Sequence, residues 1–356
     1  IMFENKNQEL TPISALGEFG LIKHLTQFFP VENTSTELSV GDDAAIINAE
    51  GKKVLVSTDM FTEGVDFNLG YVPLKHLGYK VVVAGISDIV AMNAVPAQIM
   101  ISVAVSNRFP VEALEEIYAG IQLACRRYKV DLVGGDTTSS QTGLVINVTA
   151  VGLESSEKII SRNGVKPNDL LVVTGDLGGA YMGLQILERE HSVYLKNPNM
   201  QPEMEGYDYI LERQLKPEAR TDIKGILEEL GVKPTSMIDI SDGLASEVLH
   251  LSDRSKVGFR IYEEKIPMDE LTISTADEFN LNPVMTALNG GEDYELLFTI
   301  SQSDFDKIKN NPDFTIIGHA VEEEQGNYLV LRGSNELAEL TAQGWDAYLK
   351  SKKKMD

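Results

Sequence analysis

Residues 130–138 read VDLVGGDTT, an apolar run followed by two glycines, an aspartate and two threonines. The apolar run predicts a buried strand. Glycines at its end would let the backbone approach a phosphate closely, and the aspartate could reach a metal ion. The alternative is a tight turn, and an Asx or ST turn is the alternative for residues 57–59. Apolar runs also end in oxygen-bearing residues at 54–59 (VLVSTD) and 238–243 (IDISDG). The sequence therefore predicts several strand ends that carry oxygen ligands.

Six aspartates stand in such motifs or in an apolar helical stretch: Asp42, Asp59, Asp88, Asp136, Asp239 and Asp242. Carboxylate oxygens are ligands that magnesium prefers, and magnesium lets carboxylates hold a polyphosphate that they would otherwise repel. Simpler interpretations remain open for two of them. Asp88 could be an N-cap or form a salt bridge with Lys80 or Arg108, and Asp242 could be a helix N-cap.

Strands and helices alternate along the whole chain, which predicts an α/β fold. Strands are predicted at residues 44–47, 54–58, 97–106, 130–133, 144–153, 170–174, 236–240, 258–262, 294–300, 314–319 and 328–332. Helices are predicted at residues 17–29, 73–92, 110–128, 180–189 and 244–253. The polar segment 155–168 predicts a boundary between two domains, residues 1–154 and 155–356. Residues 191–217 are polar and are interpreted as a partly helical insertion.

The composition restricts the partners and the compartment. The 356 residues include 54 acids and 31 Lys and Arg, a net charge of -23. Such a surface repels nucleic acids and anionic lipids, so neither is expected as a partner. Cys125 is the single cysteine, which rules out an intramolecular disulfide and favours a reducing compartment. The sequence shows no secretory signal and no apolar stretch long enough for a membrane span, so a cytoplasmic location is expected.

Several common catalytic motifs are missing from the sequence. It contains no Gly-x-x-x-x-Gly-Lys-[Ser/Thr] loop, no Gly-x-Gly-x-x-Gly and no Gly-x-Ser-x-Gly, and its five histidines lack metal-ligand spacing. The residues by themselves thus indicate a magnesium-dependent, ATP-using α/β enzyme without a side-chain nucleophile. A divalent-ion-dependent nucleotide-binding protein without catalysis is the alternative from another class.

Eight segments, in this order, resemble the thiamine-monophosphate kinase family. They are GDDAA (41–45), STDMFTEGVDF (57–67), LGYKVVVAGISDIVAMNAVP (77–96), GGDTT (134–138), SRNGVKPND (161–169), TGDLG (174–178), IDISDGL (238–244) and GGEDYELL (290–297). The resemblance extends from about residue 16 to 345. Any one segment is common, but eight in order are specific. A ligase- or synthetase-type member of the same superfamily is the nearest alternative.

The resemblance implies an aminoimidazole ribonucleotide synthetase-like fold of two α/β halves, with the N-terminal sheets paired across a homodimer and the nucleotide between the halves. It implies that the γ-phosphoryl group of ATP, the co-substrate, passes directly to thiamine monophosphate with several Mg²⁺ ions, giving thiamine diphosphate. The acceptor is already an anion, so no catalytic side-chain base or nucleophile is expected.

Matching positions assign roles by resemblance. The metal positions are Asp42, Ser57, Thr58, Asp59, Asp88, Asp136, Asp239 and Asp242. The ATP-contact positions are Tyr118, Gly135, Asp136, Arg162 and Ser241. The substrate positions are Asp66, Glu292 and Trp345. The family often has histidine at the position of Asp66, where an acid could face the cationic thiazolium ring.

Overall fold

A computed structural model describes residues 11–12, 15–39 and 46–342. The helices are α1 (Gly17–Thr26), α2 (Leu74–Ala91), α3 (Val111–Tyr128), α4 (Gly179–Lys196), α5 (Asp208–Leu215), α6 (Ile223–Leu230), α7 (Leu244–Ser255), α8 (Glu270–Glu278), α9 (Pro283–Asn289) and α10 (Phe305–Ile308). The strands are β1 (Thr36–Leu38), β2 (Ile46–Ile47), β3 (Lys53–Thr62), β4 (Val95–Val105), β5 (Asp131–Ser139), β6 (Val145–Glu154), β7 (Leu170–Thr174), β8 (Ser236–Asp239), β9 (Val257–Tyr262), β10 (Leu296–Ile300), β11 (Phe314–Glu322), β12 (Asn327–Val330) and β13 (Leu337–Glu339).

The described chain divides into two compact units. The first contains the residues up to Ser161 together with Gly183–Lys233, and the second contains Arg162–Met182 and the residues from Pro234 onward. The predicted cut at residue 154 stays a prediction about domains. It differs from these units because residues 183–233 return to the first one, where the Lys80 ammonium group donates to the Gln214 carbonyl at 3.1 Å.

The first unit is built on a four-stranded sheet in the order β3-β6-β4-β5, in which only the β4–β5 pair is parallel. Helix α2 contributes to the core with side chains at 0 % exposure, among them Val82 and Ile86. It meets α3 backbone to backbone, because a Cβ atom on Gly78 would lie 1.9 Å from the Ile117 carbonyl oxygen. Gly120 has the same relation to Lys75. The two glycines therefore allow α2, the helix that carries Asp88, to pack closely against α3.

The second unit is built on a seven-stranded sheet in the order β13-β12-β9-β11-β7-β10-β8. One face of this sheet packs against α7, and the fully buried Phe259, Ile261 and Leu297 meet Val248 and Leu251 there. Strand β8 stands at the sheet edge and pairs with β10, with Asp239 opposite Leu296. The end of β8 is therefore held beside the start of β10.

Two predicted strands continue further than expected. Strand β3 extends through Ser57–Thr58–Asp59 to Thr62, since it stays paired with β6 along its whole length. Strand β5 extends through Gly134–Thr138 to Ser139, since it stays paired with β4. Both motifs thus lie within strands, and the expectation that they form strand ends or turns is wrong.

The α/β prediction is confirmed, but several helices were missed. Helix α4 continues to Lys196, and α5 lies within residues 191–217, as the prediction of a partly helical insertion implies, but α6, α8 and α9 lie in stretches without a predicted helix. These three helices have only seven to nine residues, which is too short for a clear 3.6-residue pattern. None of the helices in the described part of the chain combines the length and apolar character that a bilayer span requires.

Candidate functional site

Ser57, Asp59 and Asp88 form the first group of oxygen donors. Alternation along β3 puts Ser57 and Asp59 on the same sheet face as the buried Leu55 and Phe61. The Ser57 hydroxyl donates to the carboxylate of Asp88 on α2, and the Asp59 Oδ2 atom is shielded from solvent. The structure therefore brings these three predicted metal-binding residues to one side of the sheet.

Thr58 lies on the other face of the same strand. Its hydroxyl group is 3.2 Å from that of Thr149 and accepts from the Asn147 amide at 3.0 Å. The alternation of β3 separates this side chain from Ser57 and Asp59. A metal-binding role for the Thr58 side chain on the face of Asp59 is therefore not supported by its placement.

Asp136 lies exposed on β5, at the opposite edge of the sheet from β3. Strand spacing of about 4.8 Å puts these edge strands about 14 Å apart, so the sheet alone does not bring Asp136 to Asp59. Gly135 is required by packing, because a Cβ atom there would lie 1.8 Å from the Ile101 carbonyl oxygen. The glycine is thus explained by strand pairing, and its ATP contact stays a prediction.

Two further predicted contacts in the first unit have local structural roles. The Asp66 Oδ2 atom accepts the Thr62 N–H at 2.7 Å and closes the turn after β3. Tyr118 on α3 is 8 % exposed and packs edge-to-face with Phe29 at 6.3 Å between ring centroids. Burial raises the pKa of Tyr118 to about 12, so its phenol stays neutral. Their substrate and ATP contacts stay predictions.

Ser241 and Glu292 are brought together in the second unit. The Glu292 N–H donates to the Ser241 carbonyl at 2.7 Å, and the Tyr294 N–H donates to the Ile240 carbonyl at 2.9 Å. Asp239, 3 % exposed, ends the neighbouring strand β8. The segments IDISDGL and GGEDYELL, separated by about fifty residues in the sequence, therefore form one loop pair.

Glu247 is a residue of this site that the sequence reasoning missed. It is 2 % exposed on α7, and its Oε1 atom accepts the Asp242 N–H at 3.1 Å. Burial, and then the nearby carboxylate of Asp239, raise the pKa of Glu247 to about 8. Its signal was an acid among Leu244, Val248 and other core-facing residues of α7. Asp242 is not the N-cap of this helix, since that position belongs to Gly243.

Arg162 presents an exposed side chain from a fixed backbone. Its carbonyl accepts from the hydroxyls of Ser236 and Ser255, each at 3.1 Å. Asp42 and Trp345 lie outside the described residues. The structure thus provides an exposed cation on an anchored segment for the ATP contact that Arg162 is predicted to make.

The side chains at the predicted metal-binding positions carry oxygen donors, the ligand type that magnesium prefers. Within the described ranges, no three His, Cys, Asp or Glu side chains converge closely enough to hold a metal ion. Ser57, Asp59 and Asp88 nevertheless offer oxygen atoms alone, and oxygen is the ligand type that magnesium prefers. The buried acids Asp239 and Glu247 lie close enough to repel each other, as ligands of a cation do.

Known proteins resemble the chain over most of its length. The family model "AIR synthase related protein, N-terminal domain" matches residues 41–153. The thiamine-monophosphate kinase of Aquifex aeolicus is 33% identical over 320 residues, which cover 89% of this chain and 95% of that protein. The chain belongs to the thiamine-monophosphate kinase family. The Bacillus subtilis thiamine-monophosphate kinase is 32% identical over 83% of this chain and 86% of its own length.

A solved structure gives the same result for the fold. The structure described as AaThiL complexed with AMPPCP and TMP has a TM-score of 0.71 and 30% sequence identity, and it covers 96% of this chain and 100% of that one. The predicted thiamine-monophosphate kinase resemblance and the predicted aminoimidazole ribonucleotide synthetase-like α/β fold are therefore confirmed. The individual site residues of this family member stay predictions.

Proposed function

We propose that this protein transfers the γ-phosphoryl group of ATP to the phosphate of thiamine monophosphate, giving thiamine diphosphate and ADP. The observation that carries the proposal is the similarity of this chain to a solved structure complexed with AMPPCP and TMP. The match covers 96% of this chain and 100% of that one. AMPPCP is an ATP analogue with a methylene group in place of the bridging oxygen, so that structure pairs a nucleotide with the proposed acceptor.

The proposed metal ligands are the oxygen donors of the two units: Asp42, Ser57, Thr58, Asp59, Asp88, Asp136, Asp239 and Asp242. Bound Mg²⁺ supplies charge neutralisation between the two anionic phosphates and polarises the transferred group. For Thr58, the placement of its side chain on the opposite face favours the main-chain carbonyl as donor. Glu247 positions one of these ligands, because its carboxylate accepts a hydrogen bond from the Asp242 N–H.

The remaining residues bind and orient the substrates. Arg162 carries an exposed guanidinium on a fixed backbone and is suited to pair with a phosphate. Glu292 is half-buried beside Ser241 and is suited to face the cationic thiazolium ring. The acceptor phosphate is already ionised, so alignment replaces proton abstraction as the task of the protein. Tyr118, Gly135, Ser241, Asp66 and Trp345 complete the proposed nucleotide and substrate contacts.

The proposed assembly is a homodimer in the cytoplasm. Val54, Val56 and Met60 are 53 %, 65 % and 64 % exposed along β3, an edge strand of the four-stranded sheet. A long exposed edge strand with apolar side chains invites pairing with another strand. A second copy of the same sheet is the partner that the family resemblance implies, and sedimentation at equilibrium tests it.

The decisive experiment measures ADP release from ATP with thiamine monophosphate, thiamine or no acceptor. We expect release with the monophosphate, its loss after chelation, and its return with added Mg²⁺. Release that needs another phosphorylated acceptor would favour a synthetase-type reaction. Magnesium-dependent ATP binding without release under any condition would favour a nucleotide-binding protein without catalysis.

A further inference from the structure

The segment Gly291–Tyr294 has a strained backbone. Gly291, Glu292 and Tyr294 have φ angles of 71°, 60° and 52°. The left-handed region is unfavourable for residues other than glycine, so Glu292 and Tyr294 each need surroundings that hold them there. Two such residues flank Asp293, so the backbone strain is concentrated on either side of it.

One side of the segment is fixed by main-chain bonds to the loop after β8. Glu292 donates to the Ser241 carbonyl and Tyr294 donates to the Ile240 carbonyl. Gly291 packs so closely there that a Cβ atom would lie 2.6 Å from the Ser241 carbonyl oxygen. The backbone of Glu292 is therefore held directly against the backbone of Ser241.

The other side is fixed by the buried carboxylate of Asp293, which is 0 % exposed. Its Oδ2 atom accepts the Gly178 N–H at 2.8 Å, and its Oδ1 atom accepts the Ala180 N–H at 3.4 Å, at the start of α4. An anion that accepts N–H groups at a helix N-terminus is favoured by the helix dipole. The side chain thus ties the strained segment to the first turn of α4, which belongs to the same unit.

Glu295, two residues further on, makes a second link to the same region. Its Oε2 atom accepts from the Thr174 hydroxyl at 2.6 Å, and that hydroxyl accepts the Leu296 N–H at 2.8 Å. This link lies at the junction of β7 and β10, where strand pairing already fixes the backbone. Asp293 instead lies between the two left-handed residues, where no ladder holds the chain.

We propose that Asp293 is a positioning residue that holds Glu292 at the thiamine-monophosphate site by anchoring the strained turn to the start of α4. The inference rests on the proposed function for the role of Glu292, but its structural part does not. Asp293 acts through Glu292 and touches no substrate. An asparagine cannot replace it fully, because its amide nitrogen cannot accept the second N–H.

The test compares Asp293→Asn with Asp169→Asn. Asp169 is also buried, at 7 % exposure, and accepts from the Lys166 N–H and the Thr235 hydroxyl, but at the opposite end of β7. We expect Asp293→Asn to raise the KM for thiamine monophosphate about tenfold and to leave the KM for ATP within about twofold. Asp169→Asn should lower Tm comparably and leave both constants unchanged.

A double-mutant cycle tests whether Asp293 acts through Glu292. If it does, Asp293→Asn adds little to the rise in KM that Glu292→Gln causes alone. Full additivity of the two effects, or equal rises in both KM values for Asp293→Asn, would overturn the proposal. If the asparagine variant does not fold, Asp293→Glu keeps the charge, lengthens the arm and is expected to raise the same KM.

Hydrogen exchange separates this inference from the proposed function. Asp293→Asn should speed amide exchange at residues 290–295 and 178–180, whereas Asp169→Asn should not. Unchanged exchange at residues 290–295 would overturn the anchoring role, whatever the enzyme activity. If Asp293→Asn speeds exchange at residues 290–295 but the wild type releases no ADP with thiamine monophosphate, the anchoring role of Asp293 is supported and the proposed function is rejected.

Discussion

The two units hold their predicted metal-binding acids in different ways. In the first unit Asp136 is exposed on β5 and Asp88 is half-buried on α2. In the second unit Asp242 is half-buried, but the predicted ligand Asp239 is 3 % exposed, as is its neighbour Glu247 at 2 %, which the sequence did not predict. Exposed carboxylates keep their charge at little cost, while buried neighbouring carboxylates destabilise the native state unless protons or cations compensate. Substitution of the exposed Asp136 should therefore affect activity with little change in stability, whereas substitution of the buried Glu247 should change stability.

The largest expected effect is the loss of activity on substitution of Asp136, the exposed acid of the first unit. Asp136→Asn should lower ADP release at least about a thousandfold, because it removes a proposed Mg²⁺ ligand. The free energy of unfolding should change by less than about 0.5 kcal/mol, because the side chain is exposed. Steady-state kinetics and urea unfolding measure the two quantities.

Asp59→Asn should cause a similar loss of activity in a folded protein. Glu116→Gln removes an exposed charge from α3 in the same unit and should leave the rate unchanged. A wild-type rate in folded Asp136→Asn would refute the assignment of metal ligands in the first unit.

The next effect concerns the stability of the second unit. The pKa of Glu247 is raised from 4.5 to about 8, first by burial and then by Asp239. Folding thus favours the protonated form, so this contribution is fully present at low pH and is lost as the pH rises from about 4.5 to about 8. In chelator-treated protein, Glu247→Gln should remove this loss.

The expected gain is about 3 kcal/mol over wild type at about pH 8 and close to zero below about pH 5. The full shift would correspond to roughly 5 kcal/mol, but water and neighbouring groups relax around a buried charge. Urea unfolding at both pH values measures the gain. Glu116→Gln serves as the exposed control, and an equal gain at both pH values would contradict the assignment.

The smallest effect concerns an exposed cation of the second unit. Arg162→Ala should raise the KM for ATP about tenfold, because a charge-assisted phosphate contact is lost. Stability should hardly change, since the backbone carbonyl of Arg162, which accepts from Ser236 and Ser255, remains. Arg254→Ala is the matched control on α7, and an unchanged KM for ATP would reject the phosphate contact.

Sequence patterns predicted the long elements of both units, because apolar periodicity reports which face is buried. Helices α2, α3 and α7 appear within a few residues of the predicted bounds. Helices α8 and α9 were missed although their N-caps were visible in the sequence. Asp269 accepts the Leu271 N–H, and Asn282 accepts the Val284 N–H ahead of Pro283. Local capping signals are too common in sequences to identify short helices alone.

The site was predicted unevenly for a related reason. Motif residues such as Asp239 and Glu292 could be named, since their types and order identify the family. Their supporting acids could not, because Glu247, Asp293 and Glu295 differ from ordinary acids only in burial and in which distant N–H or hydroxyl groups they meet.

The sequence by itself determined the fold class, the family and the oxygen-only chemistry, because these depend on residue types and their order. The tertiary structure decided which side of a strand each residue occupies and what lies against it. Strand pairing put Thr58 on the opposite face from Asp59 and explained Gly135 by a neighbouring carbonyl. It also joined Glu292 to Ser241. These relations come from hydrogen bonds between residues far apart in the chain, which local patterns do not record.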